Sequence, residues 1–281
     1  MCLRYHSTKQ PFNSETQRMK RILDAKYSKA SLKTIAESST YLDPQERNEL
    51  YTLLKKYEFL FDSNLGTWHG KPYDIKLKPD AEPYHGKPFP VPCIHELTLK
   101  QELDRIEYLK VINKDNRFQW GAPISLIPKK DSSVCFISDF RELNKRILRQ
   151  PYPIPKIQDL LLRLKGFRYG TTLDLNMGYY HIELSAKSKE ICTILTQWGK
   201  YEYQRLPMGL CNSPDIFQKK MSELFIGLDT VRVYIDELLH VTKGSWAEHL
   251  LLEDIGTVAQ THWKSFILVL DPLGDNCAEL F

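Results

Sequence analysis

No C-x-x-C pair occurs among the six cysteines, Cys2, Cys93, Cys135, Cys192, Cys211 and Cys277. This argues against a zinc ribbon or knuckle and favours reduced thiols over disulfides. The eight histidines are equally scattered. His249 and His262 have no cysteine pair upstream at finger spacing, so both are read as surface residues. No apolar run approaches the roughly 18 residues of a membrane-spanning helix. The N-terminus, Met-Cys-Leu-Arg-Tyr-His, lacks the apolar core of a signal peptide. The expectation is an intracellular protein with no membrane partner. Net charge is also small, +4, too little by itself to argue for nucleic acid.

The distribution of charge says more. Between Pro128 and Arg168 stand ten basic residues: Lys129, Lys130, Arg141, Lys145, Arg146, Arg149, Lys156, Arg163, Lys165 and Arg168. Only Asp131, Asp139, Glu142 and Asp159 interrupt them. Such a local excess suits a phosphate backbone or a triphosphate, and a solvated helix face is the plainer alternative. The 281 residues allow one large domain or two modest ones. Composition, 42% hydrophobic and 26% charged, is that of an ordinary globular protein.

Ser14 to about Ser38 is charged and helix-compatible. Asp43-Pro44-Gln45-Glu46 predicts a helix start, with an N-cap acid, proline at the first helical position and a capping-box glutamate. Leu50, Leu53, Leu54 and Tyr57 continue that helix on one face to about Phe61. Pro79, Pro83, Pro88, Pro90 and Pro92 mark an extended connector. A helix is predicted over Leu97 to about Val111. Ile124–Ile127 and Val134–Ile137 read as strands around a basic turn, Pro128-Lys129-Lys130-Asp131. Ile157, Leu160, Leu161 and Leu164 predict a short helix stopped by Gly166. Phe167–Leu175 is a strand, and Cys192–Leu195 with Tyr201–Leu206 a hairpin. Asn212 or Ser213 caps a helix burying Phe217, Met221, Leu224 and Leu228.

Val231, Val233 and Ile235 then alternate with Arg232, Tyr234 and Asp236, the period of a half-buried strand. Leu238, Leu239 and Val241 begin its return, so Asp236 and Glu237 sit at a hairpin tip. Two adjacent acids there could simply be solvated. A further acid, Asp174, ends another strand in Thr-Thr-Leu-Asp-Leu. Carboxylates delivered from two strand ends suit Mg²⁺, which takes hard oxygen ligands from one or two carboxylates plus substrate phosphates. The order of strand, helix and hairpin around shared acids predicts an α+β fold, an antiparallel sheet backed by helices.

Four motifs occur in one order: Ser138-Asp-Phe-Arg-Glu-Leu-Asn-Lys145, Leu173-Asp-Leu-Asn-Met-Gly-Tyr179, Leu206-Pro-Met-Gly-Leu-Cys-Asn-Ser-Pro214 and Tyr234-Ile-Asp-Glu237. With Trp120-Gly-Ala-Pro123 ahead of them, they closely resemble the reverse transcriptase domain of Ty3/gypsy-type LTR retrotransposons. The resemblance covers about Lys71 to Leu250. It implies the fingers and palm of a right-hand polymerase, with a thumb missing or degenerate. It implies that Asp174, Asp236 and Glu237 are catalytic, with Asp174 and Asp236 binding two Mg²⁺ ions, for which Mn²⁺ can stand in. Tyr179 matches the aromatic that excludes a 2′-hydroxyl, and Lys129 or Lys130 the lysine that meets the triphosphate. Pro207, Met208 and Gly209 match the turn on the template–nucleotide pair. Arg141, Lys145 and Arg146 are the implied nucleic-acid contacts, although Arg141 also reads as a structural partner of Asp139. The implied partners are an RNA or DNA template with primer and deoxynucleoside triphosphates. Cytoplasm or a virus-like particle is the implied location.

The resemblance divides the chain into a helical linker (1–70), connector and fingers (71–170), a palm (171–250, with fingers elements at 185–206) and a divergent tail (251–281). Three departures bear on activity. Glu237 stands where the family has a second aspartate, Cys135 stands where related elements place an arginine for the triphosphate, and the sequence from about Leu252 departs from the thumb approach. No Asp-Ser-Gly or Asp-Thr-Gly of an aspartic protease is found. A non-catalytic remnant that binds nucleic acid is therefore the alternative. A primer-dependent RNA polymerase is a third reading, disfavoured by the bulk of Tyr179.

Overall fold

The computed structural model describes residues 31–61, 64–117, 119–128, 134–156, 159–160, 166–175, 177–250, 252–262 and 270–272. The predicted helix over Ile157–Leu164 lies largely outside them, as do Lys129, Lys130 and the residues before Ser31.

Two short N-terminal helices come first, α1 (Leu32–Ser38) and α2 (Pro44–Lys56). The capping box predicted for α2 is formed: Asp43 accepts from the Glu46 N–H, and Glu46 accepts from the Asp43 N–H. A 3₁₀ turn follows at Glu58–Phe61. The connector then runs extended to α3 (Cys93–Tyr108), which begins four residues before the predicted start at Leu97. Its inward stripe, Leu99, Leu103 and Ile106, is fully buried.

The first sheet combines β1 (Ile112–Lys114), β2 (Ala122–Pro128), β3 (Val134–Ser138), β5 (Thr193–Thr196) and β6 (Gly199–Tyr203). Its order is β1-β6-β5-β2-β3, and β2 pairs parallel to β5 while all other neighbours are antiparallel. Between β3 and β5 the chain passes through α4 (Arg141–Arg146), β4 (Tyr169–Asp174), a 3₁₀ turn at Gly178–His181 and α5 (Ala186–Ile191).

The second sheet holds the acids and is antiparallel throughout, as predicted. It consists of β7 (Val231–Tyr234), β8 (Glu237–Thr242), β4 and β9 (Leu270–Pro272), in the order β7-β8-β4-β9. Helix α6 (Ser213–Leu224) packs behind it with Phe217 and Met221 fully buried. Two further helices follow the hairpin, α7 (Trp246–His249) and α8 (Leu252–His262).

Among the described helices, α2 and α8 both join this second unit. Tyr169 Oη donates to Glu46 Oε1 at 2.9 Å, and Trp246 Nε1 donates to Glu49 Oε2 at 2.9 Å. Tyr57 Oη donates to the Glu253 carbonyl of α8 at 3.2 Å, and Lys56 pairs with Glu253. Helix α2, read from sequence as a linker, thus packs on the acid-bearing sheet, and the tail supplies α8 and the strand β9.

His249 corrects a sequence expectation. It is buried at 2% exposure, because its Nε2 meets Thr171 Oγ1 at 2.9 Å and its Nδ1 meets Thr242 Oγ1 at 3.0 Å. The His240 ring lies tilted against it with ring centroids 4.7 Å apart and donates from Nε2 to the His249 carbonyl. His240 Nδ1 is buried with no hydrogen-bond partner among the described residues. Burial pushes both imidazoles down, His240 to about 4 and His249 to about 3.

Candidate active site

The register of the second sheet decides which side chains meet. Asp174 lies opposite Glu237, Leu173 opposite Leu238, and Thr171 opposite His240. Side chains alternate across a strand, so Thr171, Leu173, Leu238 and His240 enter the core while Asp174 and Glu237 share the other face. Directly opposed residues have Cβ atoms about 4.5–5.5 Å apart. Tyr234 pairs with Glu237, leaving Ile235-Asp236 as a two-residue turn. The Leu175 N–H donates to the Asp236 carbonyl at 2.8 Å, which ties that turn to the end of β4. A Cβ on Gly178 would lie 3.6 Å from Asp236 Cβ and 2.9 Å from Phe217 Cζ, so only glycine lets the chain after Asp174 pass this close. The three acids predicted from sequence, Asp174, Asp236 and Glu237, are therefore brought to one corner. Asp174 is exposed, and the other two are half-buried.

The turn is strained. Ile235 has φ of 53°, a region that β-branched residues avoid. Such a residue costs about 1–3 kcal/mol and persists only where its surroundings over-determine it. Gln218 of α6, 1% exposed, supplies that constraint. Its Oε1 accepts from the Ile235 N–H at 2.7 Å, and its Nε2 donates to the Val233 carbonyl at 3.3 Å. Sequence reasoning missed Gln218. Its signal was a polar residue on the inward face of α6, between Phe217 and Met221.

Tyr179 rises from the 3₁₀ turn, its half-exposed ring edge-on to Phe217 with centroids 5.3 Å apart. The peptide beyond it is held by Arg205, a second residue the sequence did not single out. Arg205 Nη1 donates to the Tyr180 and Gly66 carbonyls, and its Nη2 donates to Thr67 Oγ1. Burial lowers the Arg205 pKa from its ordinary value.

The Leu206–Ser213 turn packs against the end of β3. Gly209 has φ of +91°, and a Cβ there would lie 3.2 Å from the Ser138 carbonyl, so glycine is required. Asn144 grips both sides of this turn: its Nδ2 donates to the Gly209 carbonyl at 2.9 Å, and its Oδ1 accepts from the Cys211 N–H at 2.8 Å. Met208 stands 39% exposed at the tip. Asn212 does not cap α6 with its side chain. Its amide instead donates to the Leu148 carbonyl and accepts from the Gln150 N–H and Arg149. Arg149 also lies 2.8 Å from Asp215 Oδ2, at ion-pair distance but without the alignment of a hydrogen bond.

The basic cluster is partly self-paired. Arg141 forks onto Asp139 at 2.8 and 2.6 Å, holding that carboxyl below its ordinary range. Lys145 and Arg146 both reach Glu142. Arg146 also donates to the Glu82 carbonyl and lies over the Tyr84 ring. Arg141 and Lys145 keep most of their side chains in water, whereas Arg146 is mostly covered.

Among the described residues, no three His, Cys, Asp or Glu side chains form a group that could hold a metal ion by themselves. Two aspartates are nevertheless the usual protein share of a Mg²⁺ site, whose other positions go to water and substrate phosphate. Their hard oxygen donors fit that ion.

A mixed sheet, an antiparallel acid-bearing sheet and a helix behind it define the fingers and palm of a right-hand polymerase. Residues 127–268, half of the chain, match the family Reverse transcriptase (RNA-dependent DNA polymerase), and the chain belongs to that family. It is 30% identical over 185 residues to the Retrovirus-related Pol polyprotein from transposon 412 of Drosophila melanogaster, covering 63% of this chain and 15% of that protein. To the corresponding polyprotein from transposon opus of the same species it is 31% identical over 200 residues, 68% and 18% of the two chains. The Prototype Foamy Virus Protease-Reverse Transcriptase superposes with a TM-score of 0.75 and 25% identity, covering 83% of this chain and 31% of that one. The foamy viral protease-reverse transcriptase in complex with RNA/DNA hybrid gives a TM-score of 0.76 at 21% identity, covering 84% and 32%. The chain thus spans under a fifth of the transposon polyproteins it matches. Among the described residues no helix is long and apolar enough to cross a membrane.

Proposed function

We propose that this chain is the fingers and palm of a Ty3/gypsy-type retrotransposon reverse transcriptase, extending a primer with deoxynucleotides on an RNA or DNA template. The observation that carries the reading is the meeting of Asp174, Asp236 and Glu237 at one corner, beside the Gly178-Tyr179 turn. Asp174 and Asp236 would hold two Mg²⁺ ions, which when bound lower the pKa of the primer 3′-hydroxyl and steady the leaving pyrophosphate. The Gln218 clamp keeps the Asp236 turn from relaxing, so its carboxylate is presented without reorganisation. Tyr179 floors the sugar subsite and refuses a 2′-hydroxyl. Gly209 lets the backbone come close to the template–nucleotide pair, with Met208 against the base. Lys129 or Lys130 meets the triphosphate, and Arg141, Lys145 and Arg146 follow the template backbone. Synthesis inside a cytoplasmic virus-like particle is the setting this reading implies.

Two residues favour a weakened enzyme or a binding-only remnant. Glu237 sets one more methylene opposite Asp174, moving its carboxylate by about an ångström where sites tolerate about 0.5 Å. Cys135 removes a cation from the triphosphate. Single-nucleotide insertion on a primed RNA template with Mg²⁺ or Mn²⁺ tests the reading. The expected result is slow insertion, reduced a further 10²–10³-fold, roughly, by Asp174→Asn. Salt-sensitive binding with no insertion in either metal would establish the remnant instead.

A further inference from the structure

Arg205 is a buried cation whose donors go to neutral oxygens. Its side chain is 10% exposed, and the carboxylate paired with it, Glu183, stands 3.9 Å away and is itself half in water. Taking an ionised group out of water is costly unless its donors are used. Here they join two segments far apart in sequence. Nη1 reaches the Gly66 carbonyl at 3.0 Å and the Tyr180 carbonyl at 3.2 Å, and Nη2 reaches Thr67 Oγ1 at 3.0 Å. The Tyr180 carbonyl belongs to the residue directly after Tyr179.

The rest of that turn is anchored nearby. The Ile182 N–H donates to the Tyr179 carbonyl at 3.1 Å, and the Leu206 N–H donates to the Ile182 carbonyl at 2.8 Å. Phe217 supports the Tyr179 ring from the α6 side. The ring thus has an apolar rest on one side, and the peptide that follows it is held by the guanidinium. A planar fork can hold two segments at a set separation, which a lysine ammonium on a flexible stem cannot.

We propose that Arg205 is a positioning residue that fixes the height of the Tyr179 ring in the sugar subsite, and thereby how strictly the site refuses a 2′-hydroxyl. This inference rests on the polymerase reading above. With the fork removed, the Gly178–His181 turn relaxes on its Phe217 rest and the ring leaves room for the extra oxygen.

The test is single-nucleotide insertion by the full chain in Mn²⁺, comparing a matched deoxy- and ribonucleoside triphosphate. The variants are Tyr179→Val, Arg205→Met, Arg205→Lys and Thr67→Val, and each is also melted. Tyr179→Val should lower the deoxy/ribo ratio of kcat/KM. Arg205→Met should lower it by roughly tenfold, the size of one charge-assisted contact, chiefly through a smaller KM for the ribonucleotide. Arg205→Lys and Thr67→Val should lower it by less, and both remain informative if Arg205→Met does not fold. If Tyr179→Val shifts the ratio while every Arg205 and Thr67 variant slows both sugars equally or changes only Tm, the inference is overturned and the polymerase reading stands. No insertion by the unaltered chain, or an unchanged ratio in Tyr179→Val, removes the polymerase reading and this inference with it.

Discussion

The palm and the fingers use polar side chains in opposite ways. In the palm, Gln218, His240 and His249 are buried, and their hydrogen bonds cross between elements. In the fingers, Arg141 and Lys145 pair with acids two or three residues away, at the surface. A buried polar group tolerates few geometries, because an unmade hydrogen bond there forfeits its full desolvation cost. An exposed pair adds little, since water competes for both partners. The palm is accordingly built to hold a geometry, and the fingers to present charge. Changes to the two should differ in kind.

The largest effect is expected for Gln218→Leu. It leaves the Ile235 N–H without its acceptor and the strained turn unsupported, costing about 1–3 kcal/mol for the broken bond alone. Insertion should fall more than stability, because the released turn carries Asp236. Denaturant melts beside insertion rates will show this, and an unaltered rate would mean the turn holds its own shape.

Acid should act through the histidine pair. Both folded pKa values lie below the usual 6.5, so the pair's stabilising contribution is complete above that value and is lost as pH falls through about 4 and then 3. His240 alone should forfeit on the order of 3 kcal/mol by pH 4. Asp254 opposes this weakly by favouring the charged His240. His240→Phe keeps an aromatic ring against His249 without a titrating group, and its stability should decline less between pH 6.5 and 4. Parallel acid limbs for the two proteins would assign the loss elsewhere.

Restoring the departures probes palm and fingers together. Glu237→Asp with Cys135→Arg should raise single-nucleotide insertion about ten- to a hundredfold, the worth of one charge-assisted contact and a better-placed carboxylate. Separate variants would sharpen the comparison: Cys135→Arg should act mainly on the KM for the triphosphate, and Glu237→Asp on kcat. No gain from the double change would locate the defect in the fold rather than the site.

The smallest stability effect belongs to the fingers. Lys145→Glu should shift folding free energy by less than about 1 kcal/mol. It should still flatten the salt dependence of template binding, lowering its log–log slope by about 0.9 for the one phosphate that is no longer neutralised. An unchanged slope would exclude Lys145 from the template path.

Features built from neighbouring residues were legible in the sequence alone. The Asp43–Glu46 capping box closes within three residues, and the Val231–Thr242 alternation marks both strands of the hairpin, because side-chain direction repeats every two residues, although the turn falls at Ile235-Asp236, one residue earlier than expected. Asp174 and the two hairpin acids were readable for the same reason, each at the end of a short apolar run. The tertiary structure decided what depended on distant partners. Gln218 reaches 17 residues to Ile235, His249 reaches 78 to Thr171, Tyr169 reaches 123 to Glu46, and Arg205 reaches 139 to Gly66. A histidine, a glutamine or an arginine has the same local pattern whether it faces water or a carbonyl across the core. Only the fold, by bringing that carbonyl near, makes burial tolerable and gives the residue its role.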